Sequence, residues 1–533
     1  MLKISNGWPA KGLLSLLLLG LPLAGCLDLP MFSSGGGARQ SGGTAALLNT
    51  PGVEDGLQRL RAEFETLRPS HKAVRSDDPY VSLFAEVLGR VVHDHVRSVE
   101  PTALIDGAIK GLRKGIETEK QGPPTDRLLM EAAIMGMMSG LDPYSSYLNP
   151  EAYRNMQAQT HGEFGGLGLE VTLDQKTGFV RVVAPIDGTP AAEAGLRSGD
   201  LISDVDGAPV KGMTLIQAVF RMRGPTGTSV RLTLLRSDNG SIQVVTLIRS
   251  IVKLHPIQSR LEGDVGYVRI TTFNERTASE LEDAVAKIKL ELGPRLAGLV
   301  LDLRNDPGGL LDQAISVADD FIDSGQIVSV RGRRQAEGRS YEASGGNLVP
   351  GLPVVVLINS GSASASEIVA AALQDHQRAL VFGTRSYGKG SVQTVSPLPD
   401  GGALRLTTAR YYRPAGTSVD CVGVTPDLEI RSPQSAGRSE DMHQDPGTCN
   451  GTTLPAALPS PLRMADICPT VEDAKPVPLP ASPTVESKTD EEQKPAPRDG
   501  KDGKDGKNVK AGPDVPLRCA VSAISSRRIV SRH

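Results

Sequence analysis

Residues 360–367, Ser-Gly-Ser-Ala-Ser-Ala-Ser-Glu, place hydroxyls at Ser360, Ser362, Ser364 and Ser366, directly after the apolar run PVVVLIN at 353–359. Strand, turn and helix are expected here, and a side chain at such a helix start projects from the carboxyl end of a sheet, where ligands usually sit. One serine could be a nucleophile. Equally, Ser364 and Glu367 fit a capping box that only closes a helix end, and both readings stand on this stretch alone. Further on, Lys389 lies between Gly388 and Gly390 in GTRSYGKGSVQ, between the strand-like RALVF and SVQTV. A buried lysine is driven toward its neutral form and can then take a serine proton; the alternative is a surface lysine in a turn. In LDLRNDPGG, residues 301–309, Gly308 can present its main-chain N–H beside that of Ala365 as an oxyanion hole. Asp302 and Asp306 make a weak carboxylate pair, since Asp302 sits in an apolar strand and neither has a marked partner in the sequence.

Two rival chemistries fall away. GTRSYGK fits the start of a phosphate-binding loop, but Gly390 stands where a magnesium-binding hydroxyl belongs, and the next residues read as strand, not helix. Asp375 and His376 suggest a charge-relay triad, yet they lie near the far end of the helix that Ser364 opens, at ~1.5 Å rise per residue.

The chain has 533 residues, a formal charge of −3 and 4% aromatic residues, so a nucleic-acid partner, which needs a basic excess and stacking platforms, is not expected. It is long enough for two or three domains. Residues 1–26 read as an export signal: Lys3 and Lys11, then GLLSLLLLGLPLAG, too short for a comfortable membrane span. They end in LAGC, which resembles a bacterial lipobox with Cys26 as the lipidated residue. Export implies an oxidising compartment, where Cys421, Cys449, Cys468 and Cys519 can pair in three ways. Neither a CxxC motif nor a histidine cluster offers a metal site, and no cofactor is expected.

The elements that must hold these residues follow from composition. Residues 27–77 are Gly/Ser-rich at first, with a helix-like stretch near Leu57–Leu67, and read as a flexible tether. Helical periodicity covers 78–161. Short strands with Gly turns and two helices fill 162–249. Apolar strands alternate with helices over 250–432, as a partly parallel α/β sheet requires. Residues 433–533 are rich in Pro, Lys and acids and read as a low-complexity, disordered tail.

DLRNDPGG, SGSASASEIVAAALQDH and SYGKGSVQ, in that order, resemble the C-terminal processing peptidases, serine–lysine proteases of the S41 type. DPYSSYLNPEAYRNMQAQTHGEFGGLGLEV, YVRITTFNE and GVTPDLEI extend the likeness across Asp78 to Ile430. The resemblance implies an α/β multidomain protein: N-terminal helices, a PDZ domain that is β-rich with two helices, and an α/β protease core with a mixed sheet. It implies Ser364 as nucleophile, Lys389 as base, Gln393 as a residue positioning the lysine, and the amides of Gly308 and Ala365 as oxyanion donors. Where the family more often has RNNPGG, Asp306 adds a charge.

GEFGGLGLEV followed by GTPAAEAGLRSGDLISDVDGAPV resembles a PDZ peptide site. Gly165, Gly166, Leu167, Gly168 and Leu169 would hold a terminal carboxylate and pair with a peptide strand. The expected function is an exported periplasmic endopeptidase, lipid-anchored at Cys26, that selects proteins by free C-termini. The resemblance also implies assembly through the N-terminal helices and, in some members, tetratricopeptide adaptor lipoproteins. The alternative is a catalytically silent PDZ-containing scaffold.

Overall fold

A computed structural model describes residues 50–68, 75, 78–118, 125–174, 176–186, 188–213, 215–236, 239–334, 338–431 and 514–527. The signal segment and Cys26 lie outside the described residues. Four helices come first: α1 (Pro51–Leu67), α2 (Pro79–Asp94), α3 (Pro101–Thr118) and α4 (Asp126–Met138). Proline at the first turn and the Asp78 side chain, which accepts from the Tyr80 amide, start α2; Thr125 caps α4. Gly111 and Gly136 let α3 and α4 touch backbone to backbone, since a Cβ on Gly111 would lie 2.3 Å from the Ala132 carbonyl oxygen. Leu60 and Phe64 of α1 are buried with Phe84, Leu88, Ile105 and Ile134. Part of the expected tether is therefore a packed helix: its apolar residues recur at helical spacing, and burying each is worth ~1.5–3 kcal/mol.

Strand β1 (Ser146–Leu148), helix α5 (Pro150–His161) and strand β2 (Glu163–Gly166) lead to the second unit. This contains β3 (Leu169–Leu173), β4 (Val180–Pro185), α6 (Pro190–Glu193), β5 (Leu201–Val205), β6 (Ala208–Pro209), α7 (Leu215–Met222), β7 (Ser229–Leu235) and β8 (Ile242–Ile248). Its antiparallel sheet runs β3-β4-β5-β7-β8, with β6 on β5, so β3 is an edge strand. The next strand, β9 (Ser250–Lys253), pairs antiparallel with β2.

The third unit runs β10 (Ile257–Glu262), β11 (Val265–Ile270), α8 (Thr277–Leu292), β12 (Gly298–Asp302), α9 (Leu311–Asp319), β13 (Gln326–Gly332), β14 (Arg339–Glu342), β15 (Val354–Ile358), α10 (Ala365–Asp375), β16 (Ala379–Gly383), β17 (Ser391–Pro397), β18 (Ala403–Tyr412) and β19 (Leu428–Glu429). The main sheet, β10-β11-β12-β15-β16-β19, is parallel except for the β10–β11 hairpin, which makes it mixed. Helices α8, α9 and α10 cover one face. Every residue of β12 and β15 is buried, as apolar runs without alternation require when both faces are covered. A second sheet, β1-β18-β13-β14 with β17 on β18, draws its first strand from the N-terminal part.

The stretch expected to be a low-complexity tail contains one described helix, α11 (Val515–Ser525). Val515, Leu517, Cys519, Ala520, Ala523 and Ile524 are buried against Val265, Tyr267, Val300, Val355 and Phe382, on the main sheet's other face. Composition averaged over the tail hides this short apolar run. Cys421 and Cys519 are each disulfide-bonded. Among the described residues no helix is long and apolar enough to cross a membrane.

Candidate active site

Ser364 stands between β15 and α10 with φ 55° and ψ −113°, a backbone conformation that side-chain-bearing residues adopt only when their surroundings impose it. The surroundings are the turn after β12. Ser362 Oγ donates to the Leu303 carbonyl at 2.8 Å and Ser366 Oγ to the Asp306 carbonyl at 3.0 Å. The Ala363 amide donates to the same Asp306 oxygen at 3.0 Å. Two of the four hydroxyls thus join the two loops, leaving Ser364 between them. Gly308 has φ 91°, and a Cβ on it would lie 2.8 Å from the Ala365 nitrogen and 2.9 Å from Ser364 Cβ. Only glycine fits there. The two expected oxyanion donors are therefore neighbours. Ala365 opens α10, where amides lack intrahelical acceptors, whereas the Gly308 N–H donates to Asp306 Oδ1 at 2.8 Å.

Glu367 ties nucleophile and base. Fully buried, it accepts from the amides of Ser364 at 2.8 Å, Gly388 at 2.7 Å and Lys389 at 2.9 Å, and from Ser386 Oγ. Its reach to Ser364 is the helix-capping contact expected from the sequence, but the same carboxyl also fixes the lysine loop. Burial raises its pKa, opposed by these donors. The Tyr411 hydroxyl contacts the carbonyl oxygens of both Ser364 and Lys389. Burial lowers the Lys389 pKa, and the Arg405 charge lowers it further, against the carboxylates of Glu367 and Asp142. Lys389 Nζ lies 5.0 Å from the centre of the Tyr144 ring and makes no hydrogen bond or ion pair among the described residues. Gln393 makes no hydrogen bond to it among the described residues; its Nε2 donates to Ser391 Oγ at 2.8 Å.

Two sequence readings are corrected. Asp302 is not partnerless: it accepts from Tyr267 Oη at 2.8 Å and from the Arg304 guanidinium, Nε lying 2.9 Å from Oδ1. Asp306 also has a partner in the Gly308 amide, though its Oδ2 is buried with none among the described residues. Burial pushes its pKa up to about 7. Asp375 pairs with Arg413 and His376 with the Gln326 carbonyl, both away from Ser364. Among the described residues no group of three His, Cys, Asp or Glu side chains could hold a metal ion.

Residues 264–430 match peptidase family S41, and residues 181–236 match the PDZ domain family. A carboxy-terminal-processing protease of Bartonella bacilliformis is 50% identical over 319 residues, 60% of this chain and 73% of the relative. The chain belongs to the S41 carboxy-terminal-processing serine proteases. A carboxyl-terminal-processing protease of Synechocystis is 38% identical over 307 residues, 56% of this chain and 71% of that one. Among solved structures, a photosystem II D1 C-terminal processing protease is 32% identical, with 67% of this chain and 94% of that one aligned at a TM-score of 0.41.

In this S41 chain the five expected peptide-site residues, 165–169, span two strands and the turn between them. Gly165 and Gly166 belong to β2 and pair with Ile251 and Ser250 of β9. Leu167 is buried and its carbonyl accepts from the Ala191 amide at 2.9 Å. Gly168, at φ 74°, turns the chain into Leu169 and the free edge of β3. Sequence reasoning missed Tyr144 and Tyr411, whose proximity to Lys389 depends on the pairing of β1 and β17 with β18, a long-range register that leaves no local pattern.

Proposed function

We propose that this S41 member is an exported endopeptidase that selects proteins by their C-terminal tails and cleaves them through a Ser364/Lys389 dyad. One observation carries the reading: a single buried carboxyl, Glu367, binds the amides of both Ser364 and Lys389. Desolvated Lys389 holds its neutral form at a lower pH than a free lysine and takes the Ser364 proton. Ser364 Oγ attacks the peptide carbonyl, and the Ala365 amide meets the oxyanion. The Gly308 amide joins it once released from Asp306. Lys389 protonates the departing amine, and water then releases the acyl group from Ser364. Gln393 bonds to Ser391 and acts through the backbone of the strand that follows the lysine.

The PDZ unit supplies selection. The Leu167–Gly168 turn offers main-chain amides to a carboxylate, and the β3 edge pairs with the peptide. The export-signal pattern of residues 1–26 and its LAGC end support a bacterial periplasmic location with lipid on Cys26. Self-assembly through the N-terminal helices and a tetratricopeptide adaptor lipoprotein are the expected associations. Turnover of an unfolded protein by the full chain, beside Ser364→Ala and Lys389→Ala, tests the dyad. Both variants and their double should share one residual rate, because groups acting as a unit are non-additive. Substantial turnover in Lys389→Ala would remove it as the base; an inactive wild type would favour the scaffold.

A further inference from the structure

The S41 match ends at residue 430, yet a side chain far beyond it reaches the active-site turn. Asp514 is the N-cap of α11, accepting from the Leu517 amide at 3.2 Å. Its two oxygens also accept from Arg304, Nη1 at 2.7 Å and Nη2 at 2.8 Å. Arg304 in turn holds Asp302 through Nε and Nη2, and Asp302 is completely buried at the end of β12. Arg304 opens the turn that ends in Gly308, and its own carbonyl accepts from Arg269.

We propose that Asp514 is a positioning residue for the oxyanion turn, making the C-terminal helix a working part of the catalytic apparatus. A forked guanidinium held on both sides by carboxylates is confined more tightly than one held by the two bonds to Asp302 alone. Next along the chain, Asn305 adopts φ 57°, fixed by two bonds to Asn359. A backbone in that region persists only where its neighbours over-determine it. Asp514 supplies one such constraint, from an element that reaches the turn only because α11 is docked on the sheet. The ion pair fixes geometry more than stability, since the Asp514 side chain is 42% exposed.

This rests on the assignment of Ser364 and of the Gly308–Ala365 donors. The test uses the full chain and a fluorogenic peptide with a free apolar C-terminus. Asp514→Ser keeps an N-cap hydroxyl but is too short for both guanidinium nitrogens; Asp514→Asn keeps length and cap but loses the charge. In Asp514→Ser, kcat should fall about 10-fold with KM little changed. Affinity for a peptide boronate, which mimics the tetrahedral state, should fall by a similar ~10-fold, while affinity for the uncleaved product peptide holds. Asp514→Asn should lie between, and Asp514→Glu should recover most of the loss. The thermal midpoint should move by no more than about 2 °C. If Ser364→Ala is dead but Asp514→Ser turns over normally, the inference fails and the nucleophile assignment stands. Turnover surviving in Ser364→Ala removes both. Equal weakening of boronate and product peptide, or a loss explained wholly by unfolded protein, also overturns the inference.

Discussion

The ring of Tyr144 lies 5.0 Å from Lys389 Nζ, measured to its centre, and comes from a part of the chain well before the protease core. Two effects of opposite sign act there. The ring face attracts an ammonium by ~0.5–2 kcal/mol, favouring the charged lysine. It also excludes water, favouring the neutral one. Burial is the largest influence on Lys389 and its net shift is downward, so loss of the ring's share of that burial is the effect to test. Tyr144→Ala should move the basic limb of the pH–rate profile toward the free-lysine value and slow turnover at neutral pH, roughly 10-fold for each unit moved. Tyr144→Phe should behave nearly as wild type. An unmoved limb in the alanine variant would show that the ring does not shield the base.

Glu367 is a fully buried acceptor for several donors at once. Glu367→Ala removes the carboxyl that accepts from the amides of Ser364, Gly388 and Lys389. Each orphaned donor costs about 1–3 kcal/mol. Turnover should fall by at least ~100-fold and the denaturant midpoint should drop sharply. Glu367→Gln retains one acceptor oxygen and should fall between. A fully active, fully stable alanine variant would contradict the shared anchoring.

Asp306 sets a pH dependence of stability. Its folded pKa, about 7, lies above the unfolded value near 3.9, so the folded state binds more protons between them. Stability from this group is complete below about pH 4 and is lost as pH rises toward and through 7. Relative to Asp306→Asn, which cannot ionise, the wild type should lose roughly 1–4 kcal/mol between pH 4 and 8. Denaturant unfolding of both proteins across that range checks it, and parallel curves would disprove it. Because the carboxyl engages the Gly308 amide, the same variant should also move the pH–rate profile.

The turn after β2 predicts discrimination by charge at the substrate's end. A peptide with a free C-terminal carboxylate should bind or be cleaved more efficiently than the same peptide amidated, because charge-assisted bonds are the stronger kind. Leu169 and Val219 line the PDZ interior as partly buried side chains, so apolar end residues should be preferred. A chain lacking the PDZ unit should lose the difference between acid and amide. Equal handling of both by the intact enzyme would exclude carboxylate recognition, and discrimination persisting without the unit would assign it to the protease groove.

Much of this site is written in local sequence. The strand–turn–helix around Ser364 is legible because an apolar run, a cluster of small residues and a capping glutamate adjoin one another, and Gly308 stands out because a turn needs it. The order of domains follows from changes in periodicity. What depends on distant pairing is not legible. Tyr144 reaches Lys389 only because β1 and β17 share β18. Arg304 meets Asp514 across 210 positions. Helix α11 is short and surrounded by polar sequence, so composition dilutes its apolar face; the helical spacing of α1 is legible near Leu57–Leu67, but its packing against the other helices is a long-range fact.

The PDZ unit leaves the chain and returns to it at one point. Gly162 accepts a hydrogen bond from the Leu254 amide at 2.7 Å, and Glu163 to Gly166 then pair with Lys253 to Ser250 in strict antiparallel register. Paired residues in such a ladder stand only about 4.5–5.5 Å apart. The two ends of the insert are thus close enough for a link of two or three residues to bridge them. The PDZ unit is built as a cassette: its removal, or its exchange for another PDZ domain, would not ask the protease sheet to change its length or register.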